Sequence, residues 1–170
     1  PFEMVKPFHF CPLPQIIFKA GGLNELPSLI SSFGRNVILV IGKRSLINSG
    51  KAELLLEALK TKGITYQTVI ISGEPSPEDI DDNVRRLKNE KFDCIAGIGG
   101  GSVLDAGKAL AAMMYRDESI TQFLEGIGNS EHPGTTLPYI AVPTTSGTGS
   151  EATKNAVISS IGKDGFKRSL

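Results

Sequence analysis

The chain has 170 residues, of which 40% are hydrophobic, enough for one substantial core, so a single domain is the default reading. Its 18 Lys and Arg cancel its 18 Asp and Glu, and no basic cluster is longer than a pair, which excludes the electrostatic footprint of a nucleic-acid or anionic-membrane binder. No apolar run approaches the roughly 18 residues of a membrane span, and the N-terminus lacks a signal-peptide pattern, so a soluble, cytoplasmic protein with a small ligand is expected.

Apolar runs rich in Val and Ile alternate with stretches of helical periodicity. NVILVIG, Asn36 to Gly42, reads as a buried strand, and Ser49 to Gly63 as a helix closed by glycine. ITYQTVIIS is a second strand. The next helix opens on Ser76 as N-cap, with Pro77 at the first helical position and Asp79 placed as a capping-box acid. DCIAGIGG is a third strand, followed by a helix running to Met114 and a short helical piece around Ile120 to Glu125. LPYIAVPTT supplies a fourth strand, and the last residues form a hairpin turning at Asp164-Gly165. The alternation predicts an α/β fold: a Rossmann-like, mostly parallel sheet with helices on both faces, plus a C-terminal β-hairpin. Cys11 and Cys94 form no CxxC pair and read as small buried hydrophobes.

In such a sheet ligands bind beyond the carboxyl ends of the strands. At one of these ends stands GIGGGSVLDAGKALAAM, Gly97 to Met113. It is not a Walker loop, because Gly101 lies six residues before Gly107 and Ala109 follows Lys108. Nor is it the GxGxxG fingerprint, whose third glycine is replaced by Ser102. What remains is a strand, glycines and a helix N-terminus, the elements of a diphosphate site. Gly100 and Gly101 let the backbone approach, and Ser102 either caps the helix or donates its hydroxyl to a phosphate. A second loop, PTTSGTGSEATKNAV, follows the next strand and sets the hydroxyls of Thr144, Thr145, Ser146, Thr148, Ser150 and Thr153 around two glycines. Hydroxyls at this density suit sugar and phosphate groups. Two such loops point to an extended ligand.

Together GGGSVLDAGKA and PTTSGTGSEATKNAV resemble the iron-containing alcohol dehydrogenase family, whose patterns are GGGSxxDxxK and PTTxGTGSE. The match runs through Gly99, Gly100, Gly101, Ser102, Asp105 and Lys108, then from Pro143 to Glu151. The resemblance implies that residues 1–170 are the dinucleotide-binding domain, and that the family's C-terminal helical, metal-binding domain lies beyond this chain. It implies NAD(P) as cofactor, with iron or another divalent metal only in the full-length enzyme and a small alcohol or aldehyde as substrate. A homodimer is left open. The diphosphate is expected on Gly100, Gly101 and Ser102, and the ribose, phosphate and nicotinamide along Thr144, Thr145 and Thr153. Asn155 takes a place where the family often has an aromatic, and Lys167 stands for the family lysine after the hairpin, displaced by one inserted residue. Ser76 replaces the asparagine of a Pro-Asn-Pro turn near the adenine and either contacts the cofactor or serves only as N-cap. Gly42 stands where NAD-preferring members carry a carboxylate; followed by Lys43, Arg44 and Ser45, it predicts that NADP is favoured. Asp105 and Lys108 form a local ion pair or position neighbouring loops. With His9 and His132 far apart, no metal site is expected. The runners-up are a glycerol or glycerol-phosphate dehydrogenase-like domain and a non-catalytic nucleotide binder.

Overall fold

The computed structural model describes residues 14–43, 46, 50–162 and 165–170. His9, Cys11, Arg44, Ser45, Ser49 and Asp164 lie outside them, so the expectations placed on those residues are not followed further.

Four strands form a parallel sheet: β1 (Asn36–Gly42), β2 (Thr65–Ile71), β3 (Cys94–Gly99) and β4 (Tyr139–Pro143), in the order β2-β1-β3-β4. Helices bounded within the described residues include α1 (Leu26–Phe33), α2 (Lys51–Thr61), α3 (Pro77–Leu87) and α4 (Gly101–Met113). Alternate side chains of β1 feed two cores, as the two-residue period of a strand requires. Ile38 and Val40 pack with Ile80 and Val84 of α3 and Ala106 and Leu110 of α4. Val37 and Leu39 pack with Leu26 and Ile30 of α1 and Leu55 and Leu59 of α2. Helices therefore cover both faces, as expected. The central strands β1 and β3 read as continuous apolar runs because both their faces are buried.

Local chemistry sets the element ends. Ser76 accepts from the Asp79 N–H at 3.1 Å while Asp79 accepts from the Ser76 N–H at 2.9 Å, a complete capping box opening α3. Gly63, at φ 66°, donates its N–H to the Lys60 carbonyl and closes the end of α2. The helix α1, buried through Leu26, Pro27 and Ile30, is absent from the sequence-based reading. The piece after α4 is a single 3-10 turn, Ile120–Phe123, shorter than expected and tied down by Asp81, which accepts from the Ile120 N–H at 2.9 Å.

The hairpin of β5 (Val157–Ser160) and β6 (Phe166–Ser169) is antiparallel and lies outside the parallel sheet. Ile158 and Ala156 join the α3/α4 core, and the Ser159 N–H donates to the Pro75 carbonyl at 2.9 Å, docking the hairpin on the loop between β2 and α3. Cys94 is fully buried and burial pushes its thiol up to about 12, consistent with a packing role. His132 accepts from the Gly134 N–H at Nδ1, which places its proton on Nε2, 3.0 Å from the Ala112 carbonyl. It is a structural histidine that also stands edge-on to Phe123. No helix among the described residues is long and apolar enough to cross a membrane.

Candidate dinucleotide cleft

The strand order reverses direction between β1 and β3: from β1 the chain goes outward to β2, then returns to the other side for β3. Crevices at such reversals collect ligands because the two adjoining loops diverge there. The register aligns Gly42 with Ile71 and Gly99 with Pro143, so the carboxyl ends of all four strands open toward one rim. A cleft of about 280 Å³ lies there, lined by Gly42, Ile71, Gly73, Gly99, Gly100, Gly101, Ser102, Val103, Thr144 and Thr145.

Its floor is the start of α4. Gly100, in extended conformation at φ −78° and ψ −175°, is the N-cap, and no side chain caps this end. Of the two roles expected of Ser102, that of cap is corrected, since Ser102 stands inside the first turn. The first N–H groups of α4 have no intrahelical acceptor and carry the positive end of the helix dipole. Among the described residues no charged side chain lines the cleft. A diphosphate would therefore be met by backbone donors and hydroxyls.

Glycine is required here for two different reasons. A Cβ at Gly99 would fall 2.6 Å from Val103 Cβ, so the strand-to-helix corner cannot close with a side chain there. A Cβ at Gly101 would lie 3.0 Å from Thr148 Cγ2 and 3.2 Å from Ser150 Oγ, so that face of Gly101 is turned to the second loop. The first loop is thus shaped for its neighbour. Behind it, Gly97 and Gly107 make room for the Tyr139 ring, whose hydroxyl donates to the Leu104 carbonyl at 3.0 Å. Burial, and secondarily the Asp105 carboxylate, raise the Tyr139 phenol well above its ordinary value, so it stays protonated.

The second loop, residues 144–156 between β4 and β5, has no regular structure. Thr144 donates its N–H to the Gly99 carbonyl at 2.9 Å, which ties the two loops together at the rim. Gly147 and Gly149, at φ 114° and 68°, turn the loop, and the Gly149 carbonyl accepts from Ala152 and Thr153.

Of the expected site residues, Gly42, Gly100, Gly101, Ser102, Thr144 and Thr145 line the cleft together. Thr153, Asn155, Ser76 and Lys167 do not, and each has a partner. Thr153 bonds Lys108, and Asn155 donates from Nδ2 to Ser169 Oγ at 3.1 Å. The Ser76 hydroxyl is held by Asp79 within the capping box. Lys167 pairs with Glu74 at 2.6 Å, and Glu74 also accepts from Ser159 Oγ at 2.6 Å. Those two bonds, Lys167 first, hold the Glu74 carboxyl below the ordinary carboxylate value. The expected ion pair of Asp105 and Lys108 is present at 2.9 Å. Ile71, Gly73 and Val103 are lining residues that the motifs did not indicate. The signal for Ile71 is its place at the end of β2, in register with Gly42.

A larger groove of about 560 Å³ lies along edge strand β2 and is lined by Glu53, Leu56, Glu57, Lys60 and residues 63–66. It has no glycine turn at a helix start, and its carboxylates oppose a phosphate ligand. Among the described residues no three His, Cys, Asp or Glu side chains converge on a point where a metal ion would sit.

The sequence comparisons agree with this geometry. Residues 14–170 match the profile of iron-containing alcohol dehydrogenases. The long-chain-alcohol dehydrogenase 1 of Geobacillus thermodenitrificans is 34% identical over 140 residues, a match covering 82% of this chain and 35% of that protein. A probable NADH-dependent butanol dehydrogenase 1 of Bacillus subtilis is 30% identical, covering 85% of this chain and 37% of the relative. The crystal structure of sulfoacetaldehyde reductase from Bifidobacterium kashiwanohense in complex with NAD+ superposes with a TM-score of 0.84 at 26% identity, over 97% of this chain and 43% of that one. The chain thus spans little more than a third of the length of these two curated relatives. With the glycine corner, the hydroxyl loop and the profile match all falling on the same residues, the chain belongs to the iron-containing alcohol dehydrogenase family.

Proposed function

We propose that this chain is the NAD(P)-binding domain of an alcohol dehydrogenase whose full-length form transfers a hydride between a small alcohol or aldehyde and the nicotinamide. The observation that carries the reading is the cleft at the β1/β3 reversal, where the start of α4 and the hydroxyl loop share one rim. In this reading the diphosphate lies over Gly100, Gly101 and Ser102, held by backbone N–H groups, the helix dipole and the Ser102 hydroxyl. Thr144 and Thr145 hold the ribose and nicotinamide half, Thr153 joins them only by a shift of the loop from its place against Lys108, and the hydroxyl loop excludes water from that side. Asn155 acts from behind, through its bonds to Lys108 of α4 and to the hairpin, and Lys167 and Ser76 reach the cofactor only by leaving Glu74 and Asp79. When bound, the nicotinamide supplies the ring that accepts or gives the hydride.

We place the divalent metal implied by the family in the remaining length of the protein, because the described residues offer it no ligand set. Accordingly the 170-residue chain binds cofactor without oxidising alcohols. We also propose that NADP is the favoured cofactor, although an NADH-dependent relative and an NAD+ complex stand among the similar proteins. The support is Gly42: it lines the cleft at the end of β1, brings no carboxylate to repel a 2'-phosphate, and precedes an exposed Lys43. Calorimetric titration with NADPH and NADH at equal ionic strength tests both parts. Binding of NADPH several-fold tighter is expected. NADH tighter by about tenfold or more would overturn the NADP preference, and binding of neither would overturn the dinucleotide reading.

A further inference from the structure

Lys108 lies two turns into α4, on the helix whose start presents the glycines. Its side chain is only 11% exposed, as is that of Asp105. An ammonium this deeply buried is costly unless it is paired and hydrogen-bonded. Here it meets four oxygens. Asp105 Oδ1 lies at 2.9 Å, Thr153 Oγ1 at 3.1 Å and the Thr153 carbonyl at 3.3 Å, and the Asn155 carbonyl accepts as well.

Three of these acceptors belong to the far end of the hydroxyl loop. Its near end is tied by the Thr144 N–H to the Gly99 carbonyl. Between those points the loop is held mainly to itself, through the Gly149 carbonyl and the Ser150–Thr148 contact. Lys108 therefore anchors the loop to the same rigid helix that carries the glycines, with Asp105 one turn earlier fixing the ammonium in place.

We propose that Lys108, oriented by Asp105, is a positioning residue that sets the spacing between the glycine corner and the Thr144–Thr153 hydroxyls, and with it the binding of the nicotinamide half of the dinucleotide. The inference rests on the dinucleotide reading above. It separates two halves of one ligand: a diphosphate needs only the start of α4, whereas the nicotinamide ribose needs the loop in register with it.

The test compares calorimetric affinities for ADP and NADPH in the 170-residue chain and in two variants. Lys108→Met removes the ammonium but keeps the stem; Asp105→Asn/Lys108→Met also removes the carboxylate that would otherwise stay buried and unpaired. Circular dichroism establishes which variant is folded. The expected result is that the preference for NADPH over ADP falls by about tenfold in the folded variant, with ADP affinity held within about twofold. A preference unchanged within about twofold, whether or not both ligands weaken, would overturn the proposal, because a purely structural lysine affects both halves alike. A wild-type chain that binds neither ligand would overturn the dinucleotide reading instead.

Discussion

The two loops at the rim are built on opposite principles. The glycine corner, Gly99–Ser102, is the joint between a fully buried strand and a helix whose inner face is fully buried, so its backbone is fixed by the core. The hydroxyl loop springs from edge strand β4 and ends at a hairpin outside the sheet, and its residues 144–148 are exposed. It is held at points: Thr144, the buried Ser150 and the Lys108 contacts. The difference teaches a division of labour. Fixed backbone donors suit a diphosphate, while side-chain hydroxyls on a tethered loop suit the half of a dinucleotide that must be aligned for chemistry.

The largest expected effect breaks the fixed half. In Gly100→Val the extended backbone accepts a branched residue and the new Cβ meets only the Thr145 side chain, Oγ1 at 3.3 Å and Cγ2 at 3.5 Å, so the fold should persist while the diphosphate is pushed off. Losing two charge-assisted hydrogen bonds corresponds to about a hundredfold weaker NADPH binding by titration, with an unchanged circular dichroism spectrum. Gly101→Val should also weaken binding, but it presses on Thr148 and Ser150, so its effect should include a shift in loop signals even without ligand. Equal, ligand-free spectra for the two variants would contradict the distinction between them.

The rim of β1 comes next. A Cβ at Gly42 would lie 3.4 Å from Val103 Cγ2, an ordinary contact, so Gly42→Asp fits. It should shift the NADPH-to-NADH affinity ratio toward NADH by about tenfold, read by paired titrations. Smaller still is Thr145→Val on the tethered half: loss of one neutral hydrogen bond, about 1 kcal/mol, lowers NADPH affinity by about fivefold and leaves ADP nearly unaffected.

The smallest effect concerns the hairpin that closes the tethered loop. Glu74 is bound by Lys167 and Ser159, and its folded value is lowered from 4.5. A depressed carboxylate stabilises the fold fully above the unfolded value; that contribution fades as pH falls below 4.5 and through the lowered folded value. Urea unfolding at pH 7 and in the acid range should therefore show a slightly shallower acid loss for Glu74→Gln than for the wild type. Identical acid limbs would remove Glu74 as a hairpin tether.

The same contrast governs what is legible in the sequence. The strand Asn36–Gly42 is read at its full length because a strand buried on both faces is a continuous apolar run. The capping box at Ser76 is equally legible, since all its atoms lie within four consecutive residues. Helix α1 is not, because LPSLISSF has three serines and a proline and buries only Leu26, Pro27 and Ile30; its stability comes from packing into the cluster that holds Leu39 and Cys94 rather than from its own pattern. In the site, the glycine corner and the hydroxyl loop announce themselves as motifs. The partners of the motif residues do not. Glu74 meets Lys167 across 93 positions and Lys108 meets Thr153 across 45, pairings made by topology and not by any local signal.

The central claim is that a dinucleotide diphosphate sits on the start of α4. Amide chemical-shift mapping of the isotopically labelled chain, titrated with NADPH, tests it most directly. The account predicts the largest shifts at Gly100, Gly101 and Ser102, with further shifts at Thr144 and Thr145, and silence along the β2 groove from Glu53 to Tyr66. Shifts centred on that groove, or a glycine corner untouched at saturating NADPH, would contradict it.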